Sequence, residues 1–332
     1  MELRRRAQEM GLFDRQPFYY AWKTFQLVVM FALGIVPLVA FQSLWIHLLD
    51  AAYMAVVWTQ IAMLFHDAGH RQIIARSKWD NVVGYTCGFL NGACFANWLY
   101  SHNLHHAHTN HEGGDPDIDV PFFIYSETQA REATRGRNLL LRTFIRYQGI
   151  LYIPVLFFTA FSLRLNAWMF LLERREKFLE YWLDWVSCIA HIAIYIGLVF
   201  WALSPLHAVL FILVHQLLWG FYMGFIFAPN HKGMTVFPEG SSVDFLHAQV
   251  MASRNIRGHP IVDFLYGGLN YQVEHHLFPN MPRNKLRQAN TLVRLYCRKH
   301  DIPYHETGLI ASYVEAIRYM HNMSKIFRGL NV

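Results

Sequence analysis

Two pairs of long apolar runs dominate the hydrophobic pattern: residues 24–41 and 44–65 early in the chain, 183–203 and 206–228 late in it. A hydrocarbon core about 30 Å thick takes about 20 apolar residues of helix to cross, so each run is long enough to span. The breaks are short and polar, at Gln42–Ser43 and Ser204–Pro205, and predict two tight helical hairpins. Two further apolar stretches, 81–100 and 148–172, are interrupted by Asn91 and Asn97 or by Arg164. Placing those groups in lipid is costly, so both stretches read as interfacial or re-entrant helices. After His231 the apolar residues return at helical spacing, as in KLRQANTLVRLYCRK over 285–299, which predicts amphipathic surface helices.

Composition agrees with that pattern. Of 332 residues 54% are hydrophobic and only 16% charged, with a mean hydropathy of +0.17, too apolar for an ordinary soluble domain. The formal net charge is +6, but its placement says more than its size. Residues 1–24 hold five Lys and Arg, 66–180 hold twelve and 229–332 hold twelve, which exhausts the inventory and leaves both apolar pairs without any. The positive-inside rule then puts all three basic parts, and both termini, in the cytoplasm. Nothing in the charge pattern suggests a nucleic-acid partner. The basic opening MELRRR lacks the short apolar core and cleavage site of a signal peptide and is expected to be retained. The four cysteines, 87, 94, 188 and 297, form no CxxC and imply no disulfide framework. The expected fold is one all-α integral-membrane domain over 1–332: four transmembrane helices in two hairpins, with a cytoplasmic helical cap from 66–180 and 229–332.

The histidines carry the chemistry. HDAGH sets His66 and His70 at i, i+4; HNLHH sets His102, His105 and His106 at i, i+3, i+4; QVEHH repeats that spacing with Gln272, His275 and His276. On a helix each set shares one face, and imidazole is the commonest protein ligand for borderline metals. One such pair by chance is unremarkable; three on the same side of the membrane make a metal site. Seven imidazoles exceed the needs of one ion, and a structural zinc site closes with four ligands. Soluble di-iron bundles use Glu-x-x-His, a motif that occurs nowhere in this chain. The remaining histidines, His47, His191, His207, His215, His247, His259, His300, His305 and His321, read as surface or packing residues.

HDAGH, HNLHH and QVEHHLFPNMPR resemble the three histidine boxes of the integral-membrane fatty acid desaturases. The boxes, their order and their separation by a membrane hairpin are all present, and glutamine opening the third box is similar to the front-end subgroup. The resemblance implies two non-heme iron ions held by His66, His70, His102, His105, His106, His275 and His276. It also implies a further ligand after the fourth span, where His231 stands, although Phe227 occupies the place four residues earlier that is asparagine in some relatives. Asn230 adjoins His231 instead. Gln272 is open to three roles: weak ligand, holder of a water, or support for His276. Asp67, Asp115, Asp117 and Glu274 are expected as supporting carboxylates that orient imidazoles, and His108 and His111 as outer neighbours of the second box.

The implied reaction is O2-dependent removal of two hydrogens from neighbouring methylenes of a fatty acyl chain, carried on CoA, acyl carrier protein or a membrane lipid. Trp98, Tyr100, Phe227 and Tyr271 are placed to line an acyl channel, and Arg71, Arg76 and Lys78 to meet a carrier phosphate or anionic lipid heads. A hydroxylase or acetylenase on the same scaffold would use the same ligands. A metal transporter would place its ligands near mid-membrane on broken helices, where only His215 and Gln216 lie. A non-catalytic metal scaffold has no feature in its favour. Reduction of O2 to two waters takes four electrons and the substrate provides two. The 332 residues contain no HPGG and no Gly-x-Gly fingerprint, so a ferredoxin or cytochrome b5 with its reductase is expected to dock near Arg283, Lys285 and Arg287.

Overall fold

A computed structural model describes residues 2–74 and 77–330; Arg76 lies outside the described residues. The chain is helical almost throughout, and among the described residues the β-structure is limited to two-residue Asn255–Ile256 paired in parallel with Glu306–Thr307 and one isolated bridge, His111 with Phe237. Four helices are long and apolar enough to cross a membrane: Pro17–Ala40, Leu44–Gly69, Trp182–Ala202 and Pro205–His231. At 1.5 Å per residue the shortest reaches about 30 Å.

The observed bounds correct the expected ones where the periodicity continued past the apolar run. The first span begins seven residues before 24, because Pro17 sits in its first turn, where its missing N–H costs nothing. The second and fourth candidate spans run on beyond 65 and 228, so that His66 and His231 ride on the last turns of these helices rather than beyond them. These two helices are also the inner ones. Of their most apolar windows 72% and 44% are buried, against 11% and 17% for the first and third spans. The helices that reach the histidines are thus the ones held on most sides by protein.

The end of the fourth of these helices leaves carbonyls that neighbouring segments satisfy. Pro229 lacks an N–H, so the carbonyl of Phe225 loses its helical partner; the Tyr313 hydroxyl donates to it at 2.7 Å. The last carbonyls of any helix are orphans. Here the buried Arg254 guanidinium donates to Pro229 O, the Arg254 N–H to Asn230 O at 2.7 Å, and Asn110 Nδ2 to His231 O. His231 is therefore fixed from three separate parts of the chain.

The stretch 148–172 expected at the interface falls in two helices, Gln148–Leu156 and Thr159–Glu173, and the helix before it is sharply bent against the first. Leu139–Arg146 and Gln148–Leu156 meet at 94°, a geometry that by composition fits a broken span or a re-entrant loop. Thr159–Glu173 follows and packs on the fourth span. Arg164 does not face lipid: it donates to Gln216 Oε1 and Asn91 O and lies over the Trp219 ring. The close approach of the 157–160 backbone to the Pro205–His231 helix requires Gly220, where a Cβ would stand 2.5 Å from Phe157 O and 2.9 Å from Ala160 N. Both obstacles are backbone and cannot swing aside. Gly220→Val should cost about 1–3 kcal/mol by overpacking and lower the thermal unfolding midpoint in detergent. Gly197→Ala, with nothing within 4 Å of its Cβ, should leave that midpoint unchanged or slightly higher.

Candidate metal centre

Each histidine set is brought in by a different local device. His66 lies in the last turn of the second span, and His70 follows as its C-cap. Gly69 between them admits the Trp98 ring, which a Cβ would meet at 2.0 Å. Trp98 stacks on His102 with centroids 4.3 Å apart. The second box occupies Phe95–Ala107, and the third a helix of only six residues, Gln272–Leu277.

The eight predicted histidines converge, and they sort into two groups. His66, His70, His102 and His275 bring one nitrogen each within 4.8 Å of one another; His105, His231 and His276 do the same. His106 bridges them: its Nε2 is 3.1 Å from His102 Nε2, and its ring stacks on His276 at 4.2 Å. His102 Nε2 in turn lies 2.9 Å from His70 Nε2. His66 Nε2, both nitrogens of His275 and His276 Nε2 are buried without any hydrogen-bond partner. Burial without a partner is costly for a polar group, and four such nitrogens in one place fit a cation with vacant coordination. Burial pushes His102, His106, His275 and His276 well below the usual imidazole range. They are neutral near pH 7, the state a metal ligand needs.

In the second group every ring is anchored through Nδ1. Ala252 O accepts from His231 Nδ1 at 2.9 Å, and a carbonyl can only accept, so that nitrogen holds the proton. Gln249 donates its Nε2 to His106 O, which leaves Gln249 Oε1 to accept from His276 Nδ1 at 2.9 Å; Thr109 Oγ1 lies beside the same nitrogen. Asp115 accepts from His105 Nδ1 at 2.9 Å. Burial works against both members of that last pair, yet the attraction outweighs it: the His105 pKa rises, and the Asp115 carboxyl falls to about 2. All three Nε2 lone pairs are thereby directed inward, the arrangement that raises ligand basicity in metal sites.

The supporting carboxylates divide differently from expectation. Asp115 is buried against His105 Nδ1 at 2.9 Å, while Asp117 is exposed and reaches it only at 3.5 Å. Asp67 lies 3.7 Å from His66 Nδ1 and is committed to Arg283 at 2.9 Å. Glu274 turns away from the imidazoles altogether. Its carboxylate accepts from Asn255 and Tyr304, and burial raises it to about 7. It braces the third box against Asn255, whose side-chain oxygen also accepts from Val273 N. His108 is exposed and His111 stacks on Phe237, so neither adjoins the centre; the residues between them, Thr109 and Asn110, do. Of the proposed channel residues Trp98 walls the site and Tyr100 is exposed under Arg174.

Arg283 also departs from its expected place. It is 5% exposed, paired with Asp67 and hydrogen-bonded through Nε to the Tyr19 hydroxyl. Breaking a buried pair costs about 3–5 kcal/mol, so this guanidinium does not serve a docking surface. Lys285 is part-exposed and Arg287 exposed.

A family model for fatty acid desaturases matches residues 43–308, which include every histidine of both groups. The chain belongs to the fatty acid desaturase family. It is 28% identical over 98% of its length to the Delta(5) fatty acid desaturase of Caenorhabditis elegans, of which it covers 73%. It is 29% identical over 95% of its length to an acyl-lipid (9-3)-desaturase of Physcomitrium patens, covering 60% of that protein. Against the Delta(8)-fatty-acid desaturase of Helianthus annuus it is 32% identical over 79% of its length, covering 59%. The chain is thus shorter than these relatives, and its likeness to the front-end group stands with them. Family membership makes it an oxidoreductase whose reaction is acyl desaturation.

The anchoring carboxylate gives a direct test. Asp115→Ala should weaken metal binding about 10–100-fold, measured by chelator competition on the purified protein. Asp117→Ala should shift it by much less.

Proposed function

We propose that this desaturase is a multi-pass membrane enzyme with both termini and the histidine centre on the cytoplasmic side. Two iron ions are held there, one among His66, His70, His102 and His275, the other among His105, His231 and His276, with His106 between them. The observation that carries the reading is the pair of imidazole groups at the ends of the two inner helices. An all-imidazole set with more than four ligands suits redox metals that must also take up dioxygen. Iron, when bound there, supplies the oxidising power to remove hydrogen from an unactivated methylene.

The residues of the chain do the rest. Trp98, stacked on His102, and the surrounding cap exclude water, while Asp115, Gln249, Thr109 and Ala252 O hold the second group's rings in one tautomer. An apolar acyl chain has no polar handle, so rate and regiochemistry depend on holding one methylene pair in place. The balance is that –CH2–CH2–, O2, two electrons and two protons give –CH=CH– and two waters. Two electrons therefore come from a donor protein, a ferredoxin or cytochrome b5 class carrier.

The helix Leu286–Lys299 is the proposed docking face. Its inner side, Leu286, Ala289, Val293 and Cys297, packs with Val273 and Leu277 of the third box. Its outer side carries Arg287, Arg294 and Arg298, with Lys285 at its start. Exposed pairs such as Arg287 with Asp263 at 3.8 Å are worth about 0–1 kcal/mol and yield readily to an acidic partner.

Purified protein should contain about two irons per chain, and His275→Ala should abolish desaturation and lower that count. Normal activity in His275→Ala would contradict the ligand assignment. For sidedness, a cysteine replacing Ser204 should react with an impermeant reagent from outside the cell, and one replacing Ser241 should not; the reverse pattern would mean an additional crossing. Sustained turnover with NAD(P)H and no added donor protein would overturn the external-donor proposal, whereas added donor and reductase should restore it in a salt-sensitive manner.

A further inference from the structure

Gln272 stands where a histidine would extend the i, i+3, i+4 pattern of the third box, and its amide orientation can be read from its neighbours. Leu269 O is a backbone carbonyl and accepts from Asn230 Nδ2 at 3.3 Å. Asn230 is fully buried, so this contact identifies its nitrogen, whose second hydrogen goes to Gln272 Oε1 at 3.0 Å. Gln272 Oε1 is thereby occupied as an acceptor, and Gln272 Nε2 is the end that faces the metal-ligating nitrogen of His231, at 2.9 Å. His231 Nδ1 carries its proton toward Ala252 O, so the His231 Nε2 that Gln272 faces is a lone pair.

An amide nitrogen has two hydrogens to donate and no lone pair to give a metal. With the His231 lone pair committed to a cation, the Gln272 N–H is left beside that cation with no other acceptor among the described residues. The two histidine groups are also unequal: four imidazoles form the first and three the second, which leaves room at the second for a ligand from outside.

Resting on the di-iron reading, we infer that Gln272 is not a metal ligand but a hydrogen-bond donor to the exogenous ligand of the second ion, aimed by Asn230. An anion bound at that ion would be an acceptor, and this donor would strengthen its binding there. Asn230 acts only through Gln272 and is a positioning residue.

The test uses azide as the ligand, titrated spectroscopically into the oxidised, iron-loaded protein, with iron counted in every sample. Wild-type protein and Gln272→Leu should both hold about two irons. Azide should bind the variant about tenfold or more weakly, the size of a lost hydrogen bond to a charged acceptor. Asn230→Leu should also weaken azide binding with Gln272 intact and iron unchanged, a result that simple loss of a ligand would not produce. Loss of about one iron in Gln272→Leu would make Gln272 a ligand and overturn the inference, as would unchanged azide affinity at full iron content. Wild-type protein holding fewer than two irons would instead defeat the di-iron reading on which the inference stands.

Discussion

Eight imidazoles packed into mutual contact, away from water, cannot all keep their ring nitrogens hydrated. Each nitrogen must be given a protein acceptor, a metal, or nothing, and the last is costly. The second group meets this demand with Ala252 O, Gln249 and Asp115 behind the rings and three lone pairs in front. The first group lacks most such anchors: His275 has no partner on either nitrogen. Its order depends more heavily on a bound cation. Metal removal should therefore disturb the first and third boxes more than the region around His105.

That demand explains the architecture around it. The inner spans run past the apolar region so that their ends can carry His66 and His231. The rest of the centre is brought over them by short helices and one-residue devices. The two hydrogens of Asn110 Nδ2 are shared among His231 O, Thr235 O and Ala252 O, tying the second box to the end of the fourth span. Arg283, paired with Asp67, ties the segment after the third box to the first box.

The spans and the histidine sets were legible because both depend on local spacing: apolar run length, and i, i+3, i+4 on a helix. Supporting contacts were not, because they join residues far apart in sequence. Asp115 and Asp117 look equivalent in the chain, yet only Asp115 lies under His105. Glu274 adjoins a ligand in sequence but sits on the opposite side of its short helix, against Tyr304. Arg283 reads as a surface cation in a basic stretch until Asp67 is found 2.9 Å away. Gln249, Thr109 and Asn110 carried no signal; an unpartnered polar residue in a buried stretch is the cue that would have found them.

The proposed role of these two imidazole groups is to carry out acyl desaturation. Mass spectrometry of total fatty acids from cells expressing the wild-type protein, supplied with the donor and its reductase, tests it most directly. Products two mass units below a substrate acyl chain should appear with the wild type and be absent with His105→Ala. Equal product from both proteins, or products sixteen units heavier in place of the desaturated ones, would contradict it.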